Sequence, residues 1–227
     1  MSDGFAIHPH RVRAVVFDLG GVFLDGGPGG VQRFGTRIGL APEVWDAIRH
    51  ELFVVGNEWD KVERGEATLD AFAELLRRRV RAAGVTLTRR QARSFMGSPG
   101  DWRAMPLREE IVAACRALRA RMPTALLTNN IAEWRAGWRR RLDLDALFDV
   151  VVDSSEVGMR KPEEGIYRRV EQKLRLTGDA LLFVDDIGAN LKTARLLGWQ
   201  TLKFVDTAEV VATLDTVAAA HPARRNM

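Results

Sequence analysis

The sequence predicts an α/β protein: a doubly wound parallel sheet with an all-helical segment inserted after its first strand. Two observations predict the sheet. Five short apolar runs rich in β-branched residues recur along the chain, and stretches of helical period lie between them. Strands that alternate with helices build a parallel sheet whose crossovers are helical. A third observation predicts the insertion: between about Gly26 and Met105 the helical patterning runs on without a buried-strand run.

The first strand is expected at Ala14–Asp18 (AVVFD), closed by Gly20-Gly21. The glycine-rich stretch Gly26–Gly30 (GGPGG) reads as a hinge into the insertion or as a surface loop. Helices are expected at Val31–Ile38, Pro42–Val54 and Leu69–Ala82. Pro42 suits a first helical turn, and Thr68 suits an N-cap. The chain then returns through a helix at Arg108–Met122, apolar at Ile111, Val112, Cys115, Leu118 and Met122 and ended by Pro123. Four more strands follow at Thr124–Thr128, Val150–Asp153, Leu181–Asp185 and Thr201–Val205. The helices among them are expected at Ala132–Leu142, Glu163–Leu174, Ala189–Leu197 and Ala208–Ala220, with Gly198 closing the third of these.

Length and composition agree with this plan. The chain has 227 residues, about one and a half domains at roughly 150 residues each, and the insertion accounts for the surplus. Apolar residues make up 46% and charged residues 28%, which excludes a disordered chain. No apolar run approaches the ~18 residues of a membrane span, and Met1–Arg13 lacks the apolar centre of a signal peptide. A single cysteine, Cys115, excludes an intramolecular disulfide framework and a Cys-based zinc site. A cytoplasmic protein with no membrane partner is expected. The net charge is +4 and the sequence pI is near 9.7, which hints at nucleic acid. However, only five of the 34 basic residues are lysine, and arginine, which barely titrates, lifts a pI even at small net charge. The runs Arg77–Arg81, Arg89–Arg93 and Arg139–Arg141 read as solvated helix faces, so no nucleic-acid partner is expected.

Ligands of open α/β sheets bind outside the carboxyl ends of the strands, so the residues following each apolar run are the candidates. Asp18 follows the first; Thr128, Asn129 and Asn130 follow the second. Asp153, Ser154 and Ser155 follow the third, with Lys161-Pro162 beyond. Asp185, Asp186 and then Asn190 follow the fourth. Singly, each has an ordinary explanation: a turn or cap for the Asp residues, an N-cap for Thr128, a surface position for Lys161. Their common placement at one sheet edge favours a site for a divalent cation and a phosphate. Magnesium takes hard oxygen ligands, which Asp18, Asp185, Asp186 and a main-chain carbonyl near Gly20 can supply. Thr128 can donate to a phosphate oxygen, aided by a helix N-terminus behind it. Lys161 can neutralise a phosphate or a carboxylate. A carboxylate placed beside such charges can attack phosphorus and carry the phosphoryl group.

Four stretches stand in order: VVFDLGGVF (Val15–Phe23), ALLTNN (Ala125–Asn130), VGMRKPEEGIY (Val157–Tyr167) and LLFVDDIGANLKTARLLGW (Leu181–Trp199). In this order and spacing the chain resembles the haloacid dehalogenase-like (HAD) hydrolase superfamily, over about Arg13 to Leu214. The last two stretches are similar to the subgroup of the soluble epoxide hydrolase N-terminal phosphatase domain and bacterial sugar-phosphate phosphatases. Glu63–Phe72 (ERGEATLDAF) resembles cap segments of that subgroup. The resemblance implies a Rossmann-like core over residues 1–25 and 106–227 and a mobile helical cap over 26–105. It implies Asp18 as nucleophile, Thr128 and Asn129 as phosphate-binding residues, and Lys161 holding both nucleophile and phosphate. It implies Mg²⁺ held at Asp18, Gly20, Asp185 and Asp186, with Asp186 the more direct ligand of the last two. The activity implied is hydrolysis of a small phosphorylated metabolite.

One departure matters. Phosphatases of this superfamily usually carry a second Asp two residues after the nucleophile as general acid, and here that residue is Gly20. A general acid contributes ~10²–10⁴-fold, and its loss matters least for good leaving groups such as acyl or anomeric phosphates. Two other functions therefore stay open. Superfamily 2-haloacid dehalogenases also lack that Asp, though their fourth motif does not normally read Asp-Asp and their reaction needs no Mg²⁺. A catalytically weak binding or regulatory module is the other, and the intact Asp18, Lys161, Asp185 and Asp186 argue against it.

Remaining residues have weaker claims. Lys61, the lone lysine of the insertion, matches the Schiff-base residue of phosphonate-cleaving relatives only by type, and a long charged side chain belongs at the surface. Trp45, Trp59, Trp134 and Trp138 suit packing, while Trp102 lies near enough to the return into the core to line a site. Arg33 and Arg37 could meet an anionic substrate, although surface ion pairs are commoner. His8, His10, His50 and His221 show no triad or metal spacing.

Overall fold

Five strands form one sheet in the computed structural model, which describes residues 6–25, 30–55, 58–95 and 105–224. They are β1 (Ala14–Phe17), β2 (Thr124–Thr128), β3 (Val150–Asp153), β4 (Leu181–Asp185) and β5 (Gln200–Lys203). All are parallel, in the order β3-β2-β1-β4-β5, which is the doubly wound α/β arrangement expected from the alternating pattern. Only β5 shifts appreciably. It ends at Lys203 rather than Val205, because it is an edge strand and Val205 is left 73% exposed.

Period-two alternation explains why the central runs are apolar throughout. In β1, Ala14 and Val16 enter one hydrophobic cluster while Val15 and Phe17 enter the other. In β4, Leu181 and Phe183 oppose Leu182 and Val184 in the same way. Both faces of the sheet must therefore be covered.

Between β1 and β2, apart from isolated bridges that pair Leu24 with Gly20 and Leu107, the described elements are helices: α1 (Gly30–Arg37), α2 (Pro42–His50), α3 (Glu58–Glu63), α4 (Leu69–Ala82), α5 (Arg89–Arg93) and α6 (Glu109–Arg119). Pro42 occupies the first turn of α2. Thr68 caps α4 by accepting from the Ala71 amide at 3.1 Å. The expected helix Pro42–Val54 ends at His50 and continues as one wider turn over Glu51–Val55. α1 to α5 bury a cluster of their own, in which Trp59, Phe72 and Phe95 meet with ring centroids 5.1 to 5.2 Å apart. Ile131, just beyond β2, enters the same cluster. Residues 26–29 of the expected hinge and Trp102 lie outside the described residues.

After β2 come α7 (Arg135–Arg139), α8 (Leu144–Leu147), α9 (Ser154–Val157), α10 (Glu164–Leu174), α11 (Gly188–Leu196) and α12 (Thr207–Ala219). α6, α8 and α12 cover one face of the sheet, and α10 and α11 the other. The single helix expected at Ala132–Leu142 is instead a tight turn at Ala132–Trp134 running into the short α7. Asp143 then caps α8 through the Ala146 amide, which starts a separate short helix. The break separates the two tryptophans: Trp138 is buried in the sheet's cluster, while Trp134 packs on that of α1 to α5. No helix among the described residues is long and apolar enough to cross a membrane.

Candidate active site

The sheet order places β1 between β2 and β4, and the winding reverses beside β1. Crevices at such a reversal hold the ligands of open α/β sheets. Asp18 is the residue directly after β1, and Asp185 ends β4. Their strands are locked in register by Phe17 opposite Val184 and by the Asp18 amide donating to Val184 O at 2.9 Å. Chain geometry alone thus brings these two carboxylates together.

Lys161 lies between them. Its Nζ is 2.8 Å from Asp18 Oδ1 and 2.8 Å from Asp185 Oδ2, and it is 1% exposed. A buried lysine is tolerated because both partners are charged. Its main chain is clamped by Asn129, whose Oδ1 accepts from Lys161 N at 2.8 Å and whose Nδ2 donates to Lys161 O at 2.9 Å. Asp185 is further fixed by the Ile187 amide (2.7 Å) and by Asn190 Nδ2 (3.0 and 3.2 Å), which donate to its carboxylate. Asp186, the next residue, is exposed, and Asp18, Asp185 and Asp186 can each offer an oxygen within 4.8 Å of the others.

Two glycines bracket this cluster differently. Gly21 has φ +76°, and a Cβ there would collide with the Asp186 carboxylate, so a larger residue is excluded on two counts. At Gly20 a Cβ would meet nothing within 4 Å, and the residue lines the cavity. A side chain at position 20 would therefore stand in open space beside Asp18.

Crowding three carboxylates around one lysine shapes the electrostatics. Burial, with Asp185 and Asp186 nearby, pushes Asp18 up to about 7 against the pull of Lys161. Burial works against charge on Lys161, but Asp18 and Asp185 outweigh it and hold its pKa above the ordinary value. Partial burial and Asp185 raise Asp186. Negative charge is in excess, and the donors are hard oxygens. That chemistry fits a small divalent cation, whose charge would favour the ionised carboxylates.

The cluster opens into a cavity of about 310 Å³ lined by Asp18, Gly20, Asn129, Lys161 and Asp186 on the sheet side and by Trp59, Glu63, Ile131, Trp134 and Arg160 elsewhere. Of the predicted site residues, Asp185 and Thr128 stand back from the wall: Asp185 is fully buried beneath Lys161, and Thr128 lies deeper in the sheet. Thr128 is buried at the end of β2, with its hydroxyl 3.4 Å from Asn129 O. The helix N-terminus expected behind it is the tight turn at Ala132. Lys61 is not on the wall; it pairs with Glu58 at 3.0 Å and is 43% exposed. Arg37 donates to Ser94 O, away from the cavity.

Sequence reasoning missed Glu63 and Arg160 as wall residues. Glu63 ends α3, where its Oε2 accepts from Arg160 Nε at 2.6 Å and its Oε1 from Trp59 Nε1 at 2.8 Å. Burial raises its pKa against the opposing pull of Arg160. The available signals were Glu63 at the head of the cap-like stretch and Arg160 beside Lys161.

Comparison with known proteins agrees with the geometry. Rat bifunctional epoxide hydrolase 2 is 27% identical over 91% of this chain, which spans 39% of that relative's length. A HAD family enzyme from Bacteroides thetaiotaomicron, solved in complex with magnesium and inorganic phosphate, superposes with a TM-score of 0.66 at 19% identity, covering 88% of this chain and 98% of that one. The L-2-haloacid dehalogenase of Xanthobacter autotrophicus superposes with a TM-score of 0.58 at 19% identity, covering 95% and 90%. At such identities the two structures speak to the fold alone. The sequence model of haloacid dehalogenase-like hydrolases matches residues 12–198, a span running from the entry of β1 to the end of α11 and containing every charged group of the cluster. The chain belongs to the haloacid dehalogenase-like hydrolase family.

Proposed function

We propose that the protein is a Mg²⁺-dependent phosphomonoester hydrolase that acts on a small phosphorylated metabolite through an aspartyl-phosphate on Asp18. One observation carries the proposal: Lys161 Nζ bridges Asp18 and Asp185 at 2.8 Å each, with Asp186 completing a cluster of three carboxylate oxygens. Mg²⁺ would be held by Asp18, Asp185, Asp186 and the main chain at Gly20, and when bound it supplies charge neutralisation for phosphate and nucleophile.

The free Asp18 oxygen attacks phosphorus, the bond to the leaving oxygen breaks, and water then hydrolyses the acyl-phosphate to return Asp18 and inorganic phosphate. Lys161 orients Asp18 through Oδ1 and balances charge on the transferring group. Asn129 supports Lys161 from behind, and Thr128 lies in the layer beneath. Residues 26–105 act as a cap over the core formed by 1–25 and 106–227, and the cap excludes water from the reacting centre. The magnesium and phosphate of the Bacteroides enzyme support this reading by analogy.

The test is phosphate release from sugar, acyl and aryl phosphates by wild type and Asp18→Asn, with Mg²⁺ or with EDTA. Release is expected only from wild type with Mg²⁺, and equal release by both proteins rejects the proposal. Gly20 favours one second reading, a 2-haloacid dehalogenase, for which halide would be released from 2-haloacids in EDTA. A binding module would turn over neither substrate.

A further inference from the structure

We propose that the cavity wall formed by Glu63, Arg160, Trp59 and Trp134 selects phosphomonoesters whose leaving group is uncharged and has an apolar face. The inference rests on the phosphatase reading of the Asp18 cluster and names the substrate class for it.

The charge pattern of this wall is the first ground. Among the described residues Arg160 is its one cation, and it is already flanked by two carboxylates. Its Nε donates to Glu63 at 2.6 Å, and its Nη1 lies 3.1 Å from Asp60 Oδ2. The side chains of Arg160, Asp60 and Glu63 are 19%, 18% and 12% exposed, so solvent screens them weakly. Arg64, the neighbouring cation, is held by Glu66 at 2.7 Å and Glu163 at 2.9 Å. The indole N–H of Trp59 is also engaged, donating to Glu63 at 2.8 Å. A carboxylate on the leaving group would therefore meet the like charge of Glu63 on the wall, beside a cation that Glu63 and Asp60 already neutralise. Unfavourable charge placement of this kind is how sites reject ligands.

The apolar surface is the second ground. The indoles of Trp59 and Trp134 lie 5.9 Å apart at 46°, with Ile131 on the same cavity wall. Large, rigid aromatic surfaces take up ring faces and the C–H faces of polyols. Among the described residues the wall thus offers apolar area and hydrogen-bond acceptors but no unneutralised cation.

Two aryl phosphates of nearly equal size test this: 4-carbamoylphenyl phosphate and 4-carboxyphenyl phosphate, which differ in charge. Wild type should show kcat/KM about tenfold higher for the amide. Glu63→Gln and Asp60→Asn should each narrow that ratio severalfold, with folding checked by circular dichroism so that either variant can carry the test. Equal kcat/KM for the two esters in wild type, with turnover intact, overturns the inference and leaves the phosphatase reading standing. A ratio unchanged in both folded variants overturns the assignment to these carboxylates. Phosphate release from neither ester, nor from any member of the wider panel with Mg²⁺, overturns the phosphatase reading and the inference with it.

Discussion

The floor and the wall of the cavity are built on different principles. The floor is an ionic cluster at strand ends, where register fixes Asp18 and Asp185 and a clamped Lys161 joins them. Asp18, Asp185 and Lys161 are buried and multiply held, which leaves them little freedom to adapt to a substrate. The wall comes largely from short helices and turns: α3 contributes Trp59 and Glu63, the turn after β2 contributes Trp134, and the loop before Lys161 contributes Arg160. Its ion pairs are partly exposed and its contacts are aromatic. Under the proposed function the floor would carry the chemistry and the wall the discrimination. Floor variants should lower turnover of every substrate, whereas wall variants should reorder substrates.

The sharpest break of this comparison is Asp18→Asn, which should lower kcat by at least about 10⁴-fold on all substrates, measured by phosphate release. Next is Lys161→Met. It strips the cation from two buried carboxylates and should cost about 3–5 kcal/mol of stability, read by urea denaturation. A cost below about 1 kcal/mol would mean that the cluster is not the rigid element described. Gly20→Asp enters open space and restores an acid beside Asp18. It should raise turnover of alkyl phosphates by tenfold or more and that of aryl or acyl phosphates much less; equal gains on both would refute that role. On the wall, Trp134→Ala should raise KM severalfold for aryl phosphates with kcat nearly constant.

A separate expectation concerns pH-dependent stability without metal. Burial raises Asp18 from 3.8 to about 7, so the folded state holds that proton more tightly than the unfolded chain does. This contribution is complete below pH 3.8 and is lost as pH rises through about 7. Thermal melts in EDTA should show that decline, and Mg²⁺ should flatten it.

The same contrast explains what the sequence made legible. Strands buried on both faces show as unbroken apolar runs, and a carboxylate ending such a run falls at the ligand edge. Asp18 and Asp185 could therefore be placed before any coordinates. Lys161 could be grouped with them only by its position beyond β3, because its contact spans 24 residues to Asp185 and more to Asp18. Glu63 and Arg160 carried no such signal. α3 has six residues, too few for a period to emerge, and a Glu followed by Arg in a polar stretch looks like a solvated surface. Trp134 and Trp138 both pack, as expected, but because the expected helix Ala132–Leu142 is broken by the turn entering α7 they join different clusters. Tertiary contacts decide in these cases, and they are absent from local patterning.

The central claim is that Asp18 carries the phosphoryl group, and chemical trapping tests it most directly. Borohydride added during turnover of a hydrolysed substrate reduces an acyl-phosphate to the alcohol, which mass spectrometry of the peptide spanning residue 18 would read as homoserine. The account predicts homoserine at position 18, only when substrate and Mg²⁺ are both present. Full turnover with an unmodified Asp18, or reduction at a different carboxylate, would contradict it.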